Sequence, residues 1–199
     1  MAVEDAQQFS PEAMGTPSEL FTVQHGERTL YESDWVRLTR VDITPPDGRR
    51  FEHHVVRLQR VAMTLVVGEL DRVLMLWRYR FPVNAWGWEI PGGIVTADEE
   101  AAVTAERECV EETGWRPGPL VRLAEFQPMP GMVDTPHEIF MARGAEQVGE
   151  PTDAEEAALI RWVPLAAVPQ VIQRGLVLGA GSLVGLLSVL GVERQPNSA

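Results

Sequence analysis

The segment from residue 93 to residue 114 constrains the fold more than any other. Strong helix formers, rich in Ala and Glu, follow Glu99 as far as Thr113. Thr96-Ala-Asp-Glu99 has the pattern of a capping box at the start of this helix, and Gly114 with Pro117 ends it. Around the helix, residues 35–43 and 49–58 read as strands, because Thr44-Pro-Pro-Asp-Gly-Arg is a turn signal between alternating apolar runs. Residues 61–67 and 72–78 form a second β-rich pair, and 81–93, full of Trp, Pro and Gly, reads as loop. Strands at 120–126 and 138–142 flank the Pro-rich Gln127-Pro-Met-Pro-Gly-Met, and an acidic loop at 149–156 leads to a strand at 159–163. Two closing helices follow at 164–174 and 176–190. Strands with one central and one closing helix predict an α/β protein, a sandwich around a mixed sheet with an N-terminal β-hairpin.

Length and charge bound the rest. At 199 residues one domain suffices. The expected layout is a polar arm at 1–26, a domain at 27–192 with its hairpin at about 30–58 and its core at about 59–192, and a tail at 193–199. A net charge of -12 disfavours a nucleic-acid partner, since little basic surface is available to neutralise phosphates; all 17 basic residues are Arg. Small anionic substrates stay open if a metal ion supplies positive charge. The single Cys109 excludes an intramolecular disulfide and a multi-cysteine metal site, which fits a cytoplasmic setting. The first 25 residues lack the apolar core of a signal peptide. Residues 176–192 are apolar but short for a bilayer span and carry four glycines, so a buried C-terminal helix and no membrane association are expected.

On the helix, Glu108, Glu111 and Glu112 crowd one face, while Ala102, Ala105, Cys109 and Thr113 make a small, mostly apolar face suited to lie on a sheet. Like charges at this spacing destabilise a helix unless a cation bridges them, and hard oxygen ligands at this density suit Mg²⁺ or Mn²⁺. From the helix alone a solvated acidic face is the simpler reading; the surrounding spacing reverses it. Gly93, Glu99 and then Arg107-Glu108-Cys109-Val110-Glu111-Glu112-Thr113-Gly114 resemble the Nudix box, with Cys109 in place of a bulky aliphatic residue.

The resemblance implies Mg²⁺-dependent (or Mn²⁺-dependent) hydrolysis of a diphosphate linkage in a small nucleotide. It implies Glu108 and Glu112 as metal ligands, Glu111 assisting, and the Gly92 carbonyl completing the shell. Gly93, Glu99 and Gly114 match structural positions. Arg107 matches a position that holds loop and helix in register, and joins Glu111 and Glu156 as a catalytic candidate. Phe126-Gln-Pro-Met-Pro-Gly-Met-Val-Asp134, with Pro130 sixteen residues beyond Gly114, resembles the loop of the ADP-ribose and nucleotide-sugar pyrophosphatase branch. So does Arg78-Tyr-Arg80 ahead of Trp88-Glu-Ile-Pro-Gly-Gly93, although Gly92 replaces that branch's usual Ala and Thr135 stands where an acidic residue often lies. The branch places a catalytic base in the loop before the last strand, where Glu156 fits with Glu155 beside it; a solvated acidic loop is the other reading. Arg78, Arg80, Trp86 and Pro130 are the substrate-binding candidates. Arg80 suits a bidentate grip on phosphate or a surface ion pair, and Trp86 and Phe81 suit base stacking or core contact. The four histidines are given no role. The branch is typically homodimeric. Competing expectations are a house-cleaning nucleoside triphosphate pyrophosphatase and a non-hydrolysing ADP-ribose sensor.

Overall fold

The computed structural model describes residues 15, 17–152 and 159–193, and the chain divides into two compact units, 1–56 and 57–199. In the first unit, β1 (Val23–Glu32), β2 (Arg37–Thr44) and β3 (Phe51–Arg57) lie side by side in that order. The expected hairpin is β2–β3, turned at Gly48, whose φ of 79° favours glycine. The expected arm reached residue 26, yet β1 begins at Val23 and pairs antiparallel with β2 from Val23↔Thr44 to Glu32↔Arg37. Every residue of β1 is exposed, so no buried apolar alternation marked it. Main-chain pairing holds it, helped by polar cross-strand contacts such as Arg28 with Glu52 and His25 with Thr44.

The second unit comprises β4 (Val61–Gly68), β5 (Arg72–Arg80), β6 (Ala85–Glu89), β7 (Gly92–Ile94), α1 (Ala101–Thr113), β8 (Trp115–Pro117), β9 (Val121–Phe126), β10 (Val133–Asp134), β11 (His137–Arg143), β12 (Ala145–Gln147), β13 (Leu159–Pro164), α2 (Val168–Gln173) and α3 (Ala180–Glu193). Its main sheet runs β13-β5-β4-β11-β9, with β6 added to β5 and β7 to β4. It is mixed, since β11 runs parallel to β4 and antiparallel to β9. Both faces of β4 are covered, which is why its sequence is almost continuously apolar. On one face Ala62 packs with Ala101 and Ala105, and Val66 and Leu74 pack with Cys109. On the other, Leu65, Val67, Val73 and Ile139 pack with Leu186 and Val189. Helices therefore flank a mixed sheet, giving the expected α/β/α sandwich.

The glycines of the C-terminal apolar run serve close packing. A Cβ on Gly181 would lie 2.1 Å from Met63 Sδ, and one on Gly185 3.2 Å from Leu65 Cδ1. The run itself starts differently from expectation. Residues 176–179 are not helical: Leu176 O accepts from Trp88 N–H and Leu178 N–H donates to Trp88 O, so the chain first joins the edge of β6. None of the helices in the described residues is long and apolar enough to cross a membrane. The expected loop at 81–93 instead holds a 3-10 turn (Phe81–Val83), β6 and β7. Asn84, at φ 50°, reverses the chain so that β6 pairs with β5 from Leu76↔Glu89 to Arg80↔Ala85. The capping box does not form either. Glu100 is the N-cap without a side-chain cap bond, because Glu99 turns toward Thr104 and Arg107.

Candidate active site

Helix α1 is anchored before it presents any chemistry. Ala101, Thr104, Ala105, Cys109 and Thr113 are buried, Thr64 Oγ1 donates to Ala105 O at 2.7 Å, and Gly114 at φ 74° closes the helix. A Cβ on Gly114 would lie 2.3 Å from Gly149 O, so the position requires glycine. The sheet supplies what faces the helix: Arg78 near the end of β5, and Gly92 and Gly93 on β7.

Glu112 is 7% exposed. Its Oε1 accepts from Arg78 Nη2 at 2.7 Å and its Oε2 from Gly92 N–H at 2.9 Å. Burial pushes its pKa up; the Arg78 cation and the two donated bonds oppose that, and the Glu108 charge adds to it. The Glu108 carboxyl lies in the space a side chain at position 93 would fill, since a Cβ on Gly93 would stand 2.4 Å from Glu108 Cδ. Arg107 gathers the other carboxylates: Nη1 donates to Glu108 at 2.7 Å and Glu111 at 2.8 Å, and Nε and Nη2 to Glu99 at 3.1 and 2.9 Å. The Glu99 carboxyl is held down at about 2, first by Arg107 and then by Thr104, and its partner Arg107 is shifted up. Glu99 and Arg107 thus join the loop before α1 to the helix by an ion pair.

Sequence reasoning missed Glu89. It is 8% exposed, takes Nε and Nη2 of Arg80 at 2.8–3.2 Å, and lies 3.8 Å from Arg78 Nε. Its signal was an acidic residue between Trp88 and Ile90 in a stretch read as loop. Arg80 is therefore engaged in an ion pair, with its side chain 36% exposed and able to reach solvent.

These groups fit a divalent ion. The five carboxylates at 89, 99, 108, 111 and 112 face three guanidinium groups at 78, 80 and 107, leaving a local charge of about -2 with all groups ionised. Among the described residues no three His, Cys, Asp or Glu side chains form a ready metal cage. Mg²⁺ does not ask for one, since it commonly takes one or two carboxylates and keeps waters for exchange with substrate phosphates. Glu108 and Glu112 supply that number, and the bond from Gly92 N–H puts its main chain beside them.

The remaining candidates are on other loops and strands or outside the described residues. Pro130 sits exposed on the turn between β9 and β10. That loop is tied down by Arg57 and Gln127, which donate to Asp134, and by Thr135 Oγ1, which donates to Gln59 O. Trp86 stacks on Trp77 at 6.2 Å and 19° and is 53% exposed, and Phe81 is 82% exposed. Glu155 and Glu156 fall outside the described residues. The segment leading to them is tied to α1, as Thr152 N–H donates to Glu111 O at 2.8 Å. Cys109 is fully buried, and burial pushes its thiol up to about 12, so it carries no nucleophilic chemistry.

A family model described as NUDIX domain matches residues 57–177. The chain is 44% identical over 167 residues to a CMP-5'-(N-acetyl-N-hydroxy-3-aminopropyl)phosphonate hydrolase of Streptomyces rubellomurinus, covering 84% of this chain and 81% of that one. It is 26% identical to an ADP-ribose pyrophosphatase of Mycobacterium tuberculosis, covering 82% of this chain and 81% of the relative. A solved structure titled as an ADP compounds hydrolase superposes with a TM-score of 0.75 at 18% identity, covering 89% of this chain and 96% of that chain.

Proposed function

The chain belongs to the Nudix family and is a Nudix pyrophosphatase, and from that premise we propose that it performs Mg²⁺-dependent hydrolysis of ADP-ribose or a related nucleoside diphosphate sugar, giving a nucleoside monophosphate and a sugar phosphate. The observation that carries this reading is the buried Glu112, held by Arg78 and Gly92 beside Glu108 in a cluster of net negative charge. Mn²⁺ is the alternative ion. When bound, the ion supplies Lewis-acid neutralisation of the diphosphate and acidifies a water. The chain's own groups do the rest. Glu108 and Glu112 offer oxygen ligands, Arg107 keeps Glu108 and Glu111 in place, and Arg80 can exchange Glu89 for a substrate phosphate through the same guanidinium edge. Glu156 would take the proton from the attacking water. Breaking the P–O bond of the anhydride then leaves the oxygen on the departing phosphate. The reading includes a cytoplasmic homodimer.

One observation favours a second substrate: the 44% identical relative is named for a CMP-phosphonate, in which the anhydride joins a nucleoside monophosphate to a phosphonate. Both substrates present the same bond to the carboxylate cluster. A panel of ADP-ribose, CDP and UDP sugars, a CMP-alkylphosphonate and nucleoside triphosphates, incubated with Mg²⁺ and resolved by mass, separates them. Turnover confined to triphosphates would overturn the proposal. The base is tested by Glu156→Gln, which should lower kcat by about 10²- to 10⁴-fold while Glu155→Gln does far less. Equal small losses would remove Glu156 from the mechanism.

A further inference from the structure

Arg78 is more than a neutral partner in the carboxylate cluster. Its side chain is 3% exposed, as is that of Glu112, and Nη2 to Oε1 is 2.7 Å. Arg80, two residues along β5 and so on the same face, pairs with Glu89 through Nε and Nη2, while Arg78 places Nη2 2.7 Å from Glu112 and Nε 3.8 Å from Glu89. Glu108, by contrast, shares the single charge of Arg107 with Glu99 and Glu111. A guanidinium thus already stands on the carboxylate that a divalent ion would use, and two cations cannot approach one carboxylate without repelling each other.

We propose that Arg78 is a positioning residue that acts as a built-in counter-ion on Glu112: it weakens binding of a divalent ion to the empty enzyme, and it yields when a diphosphate offers its N–H donors another acceptor, so that ion and substrate bind cooperatively. The inference rests on the preceding reading of Glu112 as a metal ligand and of the substrate as a diphosphate. The substitute acceptor is chemically suitable, because a guanidinium grips phosphate as readily as carboxylate. Coupling is reciprocal, so an ion that binds tighter with diphosphate also tightens the diphosphate.

The test measures Mn²⁺ binding by electron paramagnetic resonance to the wild type, Arg78→Gln and Arg78→Lys, each with and without adenosine 5'-(α,β-methylene)diphosphate, which is not cleaved. In the wild type the analogue should tighten Mn²⁺ about tenfold or more, within the usual range of coupling. Arg78→Gln should bind Mn²⁺ alone about tenfold tighter than the wild type and lose most of the response to the analogue, and Arg78→Lys, which keeps the charge, should restore the wild-type affinity. Unchanged or weaker Mn²⁺ binding in Arg78→Gln overturns the role of Arg78. Failure of the wild type to bind Mn²⁺ even with the analogue overturns the metal reading beneath it. Should Arg78→Gln not fold, the wild-type Arg78 Nε resonance decides: it should shift when Mg²⁺ and analogue are added together, and a fixed resonance overturns the proposal.

Discussion

At Glu112 two demands meet, since the side chain is buried near β7 and, on the proposed reading, has to stay charged to bind a cation. Arg78 and the Gly92 N–H reconcile them in the absence of an ion. Glu112→Gln removes the charge with little change in volume. It should keep the circular dichroism spectrum and lose at least about 90% of turnover at saturating Mg²⁺, as expected where metal catalysis supplies several kcal/mol. A variant retaining more than that tenth would show that the metal is held elsewhere. Glu108, Glu111 and Glu112 were legible in the sequence because spacing on one helix brings them together. Glu89 was not, because its place beside Arg80 depends on a β5–β6 register that a Trp- and Pro-rich stretch concealed, and the pairing of Arg78 was not, because it joins β5 to α1 across 34 residues of sequence.

Among the elements, α1 is braced at its start by Glu99 and closed at its end by Gly114. Glu99 is ordinarily half-titrated near 4.5 but is held at about 2 in the fold. Because the folded value is the lower one, the brace stabilises the protein above the ordinary value, and that contribution fades as pH falls from about 4.5 toward 2. Urea midpoints of the wild type and Glu99→Gln should therefore differ at pH 6 and converge toward pH 2; a gap independent of pH would assign the effect to packing. Gly114→Ala places a methyl group against Gly149 O at positive φ and should cost roughly 1–3 kcal/mol in the same measurement. An unchanged midpoint would mean that the 149–150 turn moves aside at no cost. The helix end was readable from Gly114 alone. Its beginning was not, because a capping box and an Arg clamp place the same demand on Glu99 and the tertiary partner prevailed. β1 escaped notice for the opposite reason: its residues bury nothing, so no periodicity recorded the pairing.

In the whole molecule, the sandwich followed from the order of strands and helices, whereas details at the edges depended on contacts distant in sequence, such as the docking of residues 176–178 on β6. The first unit leaves Phe21, Leu30, Tyr31 and Trp35 exposed, and the homodimer is part of the proposal. Light scattering should give ~44 kDa, twice the 22.1 kDa chain mass. A 22.1 kDa species with full activity would remove the dimer from the proposal. The sole thiol has a further use. Cys109 is packed between α1 and the sheet with Val66 and Leu74, so an alkylating reagent can reach it only during moments when that seam is open. Its labelling rate is then a clock for the seam's openings, and any nucleotide that slows the clock has bound the closed form, which identifies ligands before any of them is known to react.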